Sequence, residues 1–159
     1  MNHCLEMKTP LGQLLLVANG SALTAAYFDG QMHHPGRSPA WHDGSKHWVL
    51  LEARRQLTEY FAGHRRDFEL PLAPKGTDFQ QQVWAGLRAI PFGHTYSYKA
   101  LAEALGRPSA VRAVAAANGR NPLSVIVPCH RVLGASGKLT GYAGGLWRKE
   151  ALLALEGCS

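Results

Sequence analysis

The first third of the chain carries apolar runs too short for helices. Leu14 to Val17 and Leu23 to Phe28 are two such runs, with Asn19-Gly20 between them. Asn-Gly suits the positive backbone angles of a tight turn, so a β-hairpin is expected here. Asp29 to Ser45 is rich in Gly, Pro, Ser and His without periodicity and predicts a loop. From Lys46 to Ala62 the spacing changes. Val49, Ala53, Leu57, Tyr60 and Phe61 fall on one helical face, and Gly63 supplies a stop. Leu70 to Gly76 contains Pro71 and Pro74 and predicts a linker. The expected division is an N-terminal α/β domain over 1–74 and a C-terminal domain over 75–159.

Helical spacing dominates after the linker. Asp78 and Gln81 resemble a capping box, followed by Phe79, Val83, Trp84, Leu87 and Ile90 on one face, with Pro91 as terminator. Two short helices come next. Ser97 is the expected cap of the first, which carries Leu101 and Leu105. Gly106-Arg107-Pro108 turns the chain, and Ser109 is the expected cap of the second, which runs to Asn118 before Gly119. The pair has a helix-turn-helix pattern. Val125-Ile126-Val127 predicts a short buried strand ended by Pro128, and a last helix is expected from about Trp147 to Leu155. The fold class is therefore α/β in the α+β sense. A small N-terminal β-sheet with a helix precedes a mostly α-helical C-terminal domain, in which Cys129 follows a short strand.

Charge is unevenly placed along this pattern. The 159 residues carry a net +6, of which +1 falls in Met1–Gly76 and +5 in Thr77–Ser159. The basic half favours a polyanionic partner. The second helix of the pair, Ala110 to Asn118, is built of small residues with Arg112 as its one long polar side chain. Small residues permit close approach to a groove, but base discrimination needs several long hydrogen-bonding side chains. DNA binding by this helix would be nearly blind to sequence, which favours repair or architecture over gene regulation. No apolar run approaches the length of a membrane span, and Met1 to Glu6 lacks a basic region followed by an apolar stretch. The expected compartment is the cytoplasm, with no membrane partner.

The three cysteines, Cys4, Cys129 and Cys158, do not form a disulfide framework, since two sit near the termini. Cys129 lies beside His130, and an imidazole can help to generate a nucleophilic thiolate. For an isolated Cys-His pair, a buried structural cysteine is the commoner outcome. Adjacent residues of a strand point to opposite faces, so a direct contact would need an irregular backbone or a bridging water.

The surrounding motifs decide between these outcomes. Thr77-Asp78-Phe79-Gln80-Gln81-Gln82-Val83-Trp84, Ala110-Val111-Arg112-Ala113-Val114, Asn118-Gly119-Arg120-Asn121-Pro122, Val127-Pro128-Cys129-His130-Arg131-Val132 and Thr140-Gly141-Tyr142-Ala143-Gly144-Gly145 occur in this order. With them, the run from Gly76 to Gly157 resembles the O6-alkylguanine-DNA alkyltransferase family, also called methylated-DNA–protein-cysteine methyltransferases. Thr9-Pro10-Leu11-Gly12 and the paired strands after it are similar, more loosely, to the family's N-terminal domain.

The resemblance implies direct-reversal DNA repair. Cys129 would attack the alkyl carbon on O6 of guanine and keep the alkyl group irreversibly, once per molecule; O4-alkylthymine is left open as a second substrate. His130 would be the base, acting through water, with Glu156 orienting it. Tyr98 would protonate the leaving guanine, and Asn121 would tie the helix pair to the active-site segment. Arg112 would fill the gap left by the flipped base. Ser97, Ala110, Ala113, Ala117 and Arg120 would share the DNA-binding surface. Pro128, Val132, Tyr142, Ala143 and Gly144 would line the alkyl and base pocket. The partner would be double-stranded DNA containing O6-alkylguanine, bound by a monomer.

Some relatives hold a structural zinc through two cysteines and two histidines. Here Cys4 has no second cysteine before Cys129. His33, His34, His42 and His47 lie in or beside the loop, so no metal and no cofactor is expected. Three rivals remain for comparison. A lesion-binding module would replace the acceptor cysteine, which is present. A helix-turn-helix regulator is disfavoured by the small side chains of the second helix. A thiol hydrolase would need an oxyanion hole that the sequence does not identify.

Overall fold

The structure, a computed structural model, describes residues 1–158. Its N-terminal part is a four-stranded sheet in the order β3-β2-β1-β4. Strand β1 (Asn2–Thr9) pairs antiparallel with β2 (Gly12–Asn19), which pairs antiparallel with β3 (Ala22–Phe28). The two-residue strand β4 (His42–Asp43) runs parallel to β1 inside the segment expected to be loop. The hairpin of β2 and β3 turns at Gly20-Ser21, with Gly20 at φ +60°.

Both faces of β2 are buried, which is why its sequence does not alternate. Leu14, Leu16 and Ala18 face the main core, whereas Leu15 and Val17 join Cys4 and Ala25 beneath Tyr27 and Trp41. Helix α1 (Trp48–Phe61) covers the core face with Val49, Leu50, Ala53, Leu57 and Tyr60.

Helix α2 (Asp78–Arg88) begins at Asp78 itself, so its cap lies one residue before the expected one. Thr77 is the cap: its Oγ1 accepts from the Gln80 N–H, and Gln80 Oε1 accepts from the Thr77 N–H. Gln81 instead donates from Nε2 to Pro74 O at 2.6 Å. Strand β5 (Tyr96–Ser97) leads into α3 (Tyr98–Ala104), capped by Ser97 Oγ, which accepts from the Ala100 N–H at 2.9 Å. Helix α4 (Val111–Gly119) follows the turn but is not capped by Ser109. The Ala110 N–H closes a turn onto Arg107 O, so the helix starts one residue later, with Ala110 at its cap position. Trp84 locks α2 onto α4 by donating from Nε1 to Ala117 O at 2.9 Å.

The run before Cys129 is not a strand. Leu123 makes an isolated parallel bridge with Ala26, and the chain then winds through turns. The Val127 N–H donates to Leu123 O and the Ile126 N–H to Ser124 O, with Val125 held at φ +73°. That region is costly for a β-branched residue and persists only where the surroundings over-determine it. Cys129–Arg131 is a 3₁₀ turn, and the short strand β6 (Val132–Leu133) follows Cys129, pairing parallel with β5. The apolar run reflects burial on every side, which an irregular segment needs as much as a strand does.

Strand β3 is the sheet edge onto which both halves dock. Leu23 exchanges backbone bonds with Pro71 and Ala73, and Ala26 with Pro122 and Ser124. These bonds cover the edge and place the Cys129 segment on it. One core runs from Leu16, Phe28 and Leu57 through Val83, Leu101 and Val114 to Leu123 and Cys129. Helix α5 (Leu146–Leu155) closes the chain, with Glu156 just past its end.

Candidate active site

Cys129 is 6% exposed at the start of the 3₁₀ turn. Burial pushes its thiol above the ordinary range, while the Asn121 amide, the Lys149 cation and the Tyr142 hydroxyl pull the other way. A thiol in this setting needs a base before it can attack.

His130 is fully buried and bonds away from the thiol. Its Nε2 lies 2.8 Å from Glu156 Oε2. The carboxylate can only accept, so Nε2 carries the proton and Nδ1 carries the lone pair. Nδ1 is buried without a protein partner. Burial lowers the His130 pKa, and Glu156 opposes that shift. The imidazole is therefore neutral, with its basic nitrogen free.

Glu156 gathers groups from two other segments, α1 and the 3₁₀ turn. Tyr60 of α1 donates its hydroxyl to Oε2 at 2.6 Å. Arg131 donates from Nε to Oε1 at 2.7 Å and from Nη2 to Oε2 at 3.0 Å, and from Nη1 to Ile90 O at 2.6 Å. Burial works to raise the Glu156 pKa, but hydrogen bonds from His130, Arg131 and Tyr60 outweigh it and hold the value at about 2.

The other side of Cys129 is built from backbone. Asn121 is buried; its Nδ2 donates to Val127 O at 2.8 Å and its Oδ1 accepts from the Leu123 N–H at 3.0 Å, joining the end of α4 to the Cys129 segment. Tyr98 donates its hydroxyl to Thr140 O at 3.4 Å, and burial raises its pKa. Lys149, fully buried, donates from Nζ to Thr140 O at 2.7 Å and Gly141 O at 3.4 Å. Burial lowers its pKa to about 8, with Cys129 pulling in the opposite direction. The Tyr142 hydroxyl is buried beside Cys129. Pro128 and Val132 flank the 3₁₀ turn and are buried, whereas Ala143 is half-buried and Gly144 buried in the glycine-rich run.

The helix pair presents Arg112, Ala113, Ala116 and Arg120 to solvent. Ala117, expected on that surface, is 4% exposed and packs inward, its carbonyl accepting from Trp84. The 3.6-residue period turns position 117 toward α2. Ser97 is half-buried with its hydroxyl engaged as a cap, and Ala110 is half-buried at the start of α4.

Three residues of the site are not legible in the sequence: Tyr60, Arg131 and Lys149. Tyr60 looks like any apolar helix position. Arg131 stands inside the recognised motif, yet nothing in the motif shows that its guanidinium holds Glu156. A buried lysine carries no local signal at all. Among the described residues, no group of three or more His, Cys, Asp or Glu side chains is placed to hold a metal ion. No described helix is long and apolar enough to cross a membrane.

Two family profiles match the chain in succession. The ribonuclease-like domain of 6-O-methylguanine DNA methyltransferase matches residues 3–74, and the DNA binding domain of the same family matches residues 78–158. The chain belongs to the 6-O-methylguanine DNA methyltransferase family. The methylated-DNA–protein-cysteine methyltransferase of Mycobacterium tuberculosis is 47% identical over 161 residues, covering 98% of this chain and 93% of the relative. The constitutive methylated-DNA–protein-cysteine methyltransferase of Bacillus subtilis is 44% identical over 154 residues, covering 96% and 93%. The crystal structure of Mycobacterium tuberculosis OGT in complex with DNA superposes with a TM-score of 0.88 at 47% identity, covering 97% of this chain and 92% of that one. The α+β architecture, with its N-terminal sheet and helical C-terminal part, is that of these family structures.

Proposed function

We propose that the protein repairs DNA by moving an alkyl group from O6 of guanine to its own Cys129, once per molecule. The observation that carries this reading is the state of His130. Its Nε2 is fixed on Glu156, and its Nδ1 is a free base one residue from the family's acceptor cysteine. The thiol proton passes through a bridging water to His130 Nδ1. The thiolate then attacks in line: the Sγ–C bond forms, the C–O6 bond breaks, and the electron pair leaves with guanine. Tyr98 returns a proton to the guanine ring. The product thioether is a very poor leaving group, so the protein does not turn over.

The target base must be flipped out of the duplex, at a cost of a few kcal/mol. Arg112, exposed on α4, enters the vacated place. Ala113 and Arg120 line the same DNA-facing surface, with Ala110 and Ser97 at its rim. Tyr142, Ala143 and Gly144, together with Pro128 and Val132, enclose the alkyl group and base. The chain divides near residue 74 into a bracing N-terminal half and a DNA-facing half, and it acts as a monomer with little sequence preference.

The test uses duplex DNA carrying O6-methylguanine in excess over protein. One methyl per protein is expected, on the peptide containing Cys129. Continued turnover, or binding without transfer, overturns the reading. Cys129→Ala should retain DNA binding and transfer nothing.

A further inference from the structure

Arg148, the third residue of α5, is 8% exposed, and no carboxylate pairs with it among the described residues. Its guanidinium donates to backbone carbonyls of three separate segments. Nε reaches Leu11 O at 2.9 Å in the β1–β2 turn. Nη2 reaches Asp29 O at 3.2 Å, just past β3. Nη1 reaches Gly144 O at 2.9 Å in the glycine-rich run. The guanidinium carbon also stands 4.6 Å from the Phe28 ring centroid and 4.5 Å from that of Trp147. Gly12 leaves it room, since a Cβ there would lie 3.2 Å from Nη2. A buried cation without these partners would be costly, so the three carbonyls hold it as firmly as it holds them.

A second tie lies next to it. The Met32 N–H donates to Ala143 O at 2.8 Å. The loop carrying Met32 is pinned in turn by Gln31, whose Oε1 accepts from the Phe28 N–H at 2.7 Å and from Ser124 Oγ at 3.2 Å. The run Gly141–Gly145 thus hangs between Lys149 at its start and N-terminal anchors at Ala143 and Gly144. Three of its five residues are glycine, so it has little conformational preference of its own. At Ala143 the side chain is only a methyl group. The distance of this wall from Cys129 is therefore set by backbone position.

We infer that Arg148 is a specificity-determining positioning residue: by joining the N-terminal sheet to Gly144, it fixes the pocket wall and limits the size of the alkyl group transferred. This rests on the proposed alkyl-transfer function. Loosening the wall removes the close fit around a methyl group and admits a bulkier one.

The test compares second-order transfer rates from DNA carrying O6-methylguanine and O6-benzylguanine, with thermal unfolding followed in parallel. Arg148→Met should slow methyl transfer roughly tenfold, as a sub-ångström misplacement does, and raise the benzyl-to-methyl ratio at least about fivefold. Arg148→Lys, which keeps the charge but not the three-way fork, should fall between the two. Gln31→Ala loosens the Met32–Ala143 tie without touching α5, and should move the ratio the same way by less. It serves as the test if Arg148→Met does not fold. An unchanged ratio, whether rates are normal or fall with the folded fraction, overturns the inference and leaves Arg148 a stabilising residue. A wild-type protein inert on both substrates overturns the parent function instead.

Discussion

On one side of Cys129 the contacts run between buried side chains: His130, Arg131 and Tyr60 each bond to Glu156. On the other side, two buried cations, Lys149 and Arg148, hold backbone carbonyls of a glycine-rich run. The first arrangement fixes protonation states, because both oxygens of Glu156 and the Nε2 proton of His130 have partners. The second fixes a position, because carbonyls do not titrate and glycine cannot hold itself. Base chemistry needs the first kind of rigidity. A pocket wall can use the second, which adjusts with small backbone shifts.

The largest effect that would break this contrast comes from Glu156→Gln. It leaves Arg131 buried without its carboxylate, which should cost about 3–5 kcal/mol of stability. Removing the orienting charge behind a general base should slow methyl transfer roughly 100-fold. Chemical denaturation and single-turnover rates read the two separately. If both stay near wild type, the relay side is packing and not chemistry.

Acidification should expose the same side in two stages. His130 is lowered from 6.5, so its contribution is complete above pH 6.5 and fades as pH falls below it. Glu156 is lowered from 4.5 to about 2, so its contribution is complete above pH 4.5 and lost as pH falls toward 2. The unfolding temperature measured against pH should decline through both windows. In Glu156→Gln the lower decline should be much reduced.

The wall side predicts a different pH response. Methyl transfer should accelerate with rising pH as Cys129 loses its proton, then flatten above about 8, where Lys149 loses its charge. Lys149→Met should be slower below that point by roughly tenfold, a loss within the range of one charged neighbour, and should lack the bend. A bend that survives the substitution would assign it to another group.

The smallest change sharpens the link between the halves. Tyr60→Phe removes one buried hydrogen bond to the Glu156 carboxylate and should cost about 1.5–3 kcal/mol, with the benzyl-to-methyl ratio unchanged. A shifted ratio would show that the two sides are coupled through α1.

The helices were legible because each buries one face. Val83, Trp84 and Leu87 repeat at the helical period, and α2 lies where they put it. The sequence pattern does not predict strand β1, although Leu5 and Met7 face the main core and Cys4 the opposite layer. Its neighbours are long polar side chains, which blur a two-residue period. The caps at Thr77 and Ala110 were each misplaced by one residue, because several polar side chains at both turns could have closed them.

The sequence by itself determined the family, the adjacent Cys129 and His130 inside its motifs, and the small side chains of the second helix of the pair. These rest on residue identity and local spacing, which the chain states directly. Only the tertiary structure decided that Cys129 leaves a strained, non-strand segment, that His130 Nδ1 is buried without a protein partner, and that Arg131 and Tyr60 also bond to Glu156. It alone showed Arg148 joining Leu11 and Asp29 to Gly144. The bonds from Arg148 to Leu11 and Asp29 link residues more than a hundred positions apart, and their energy comes from burial and geometry that no local pattern encodes.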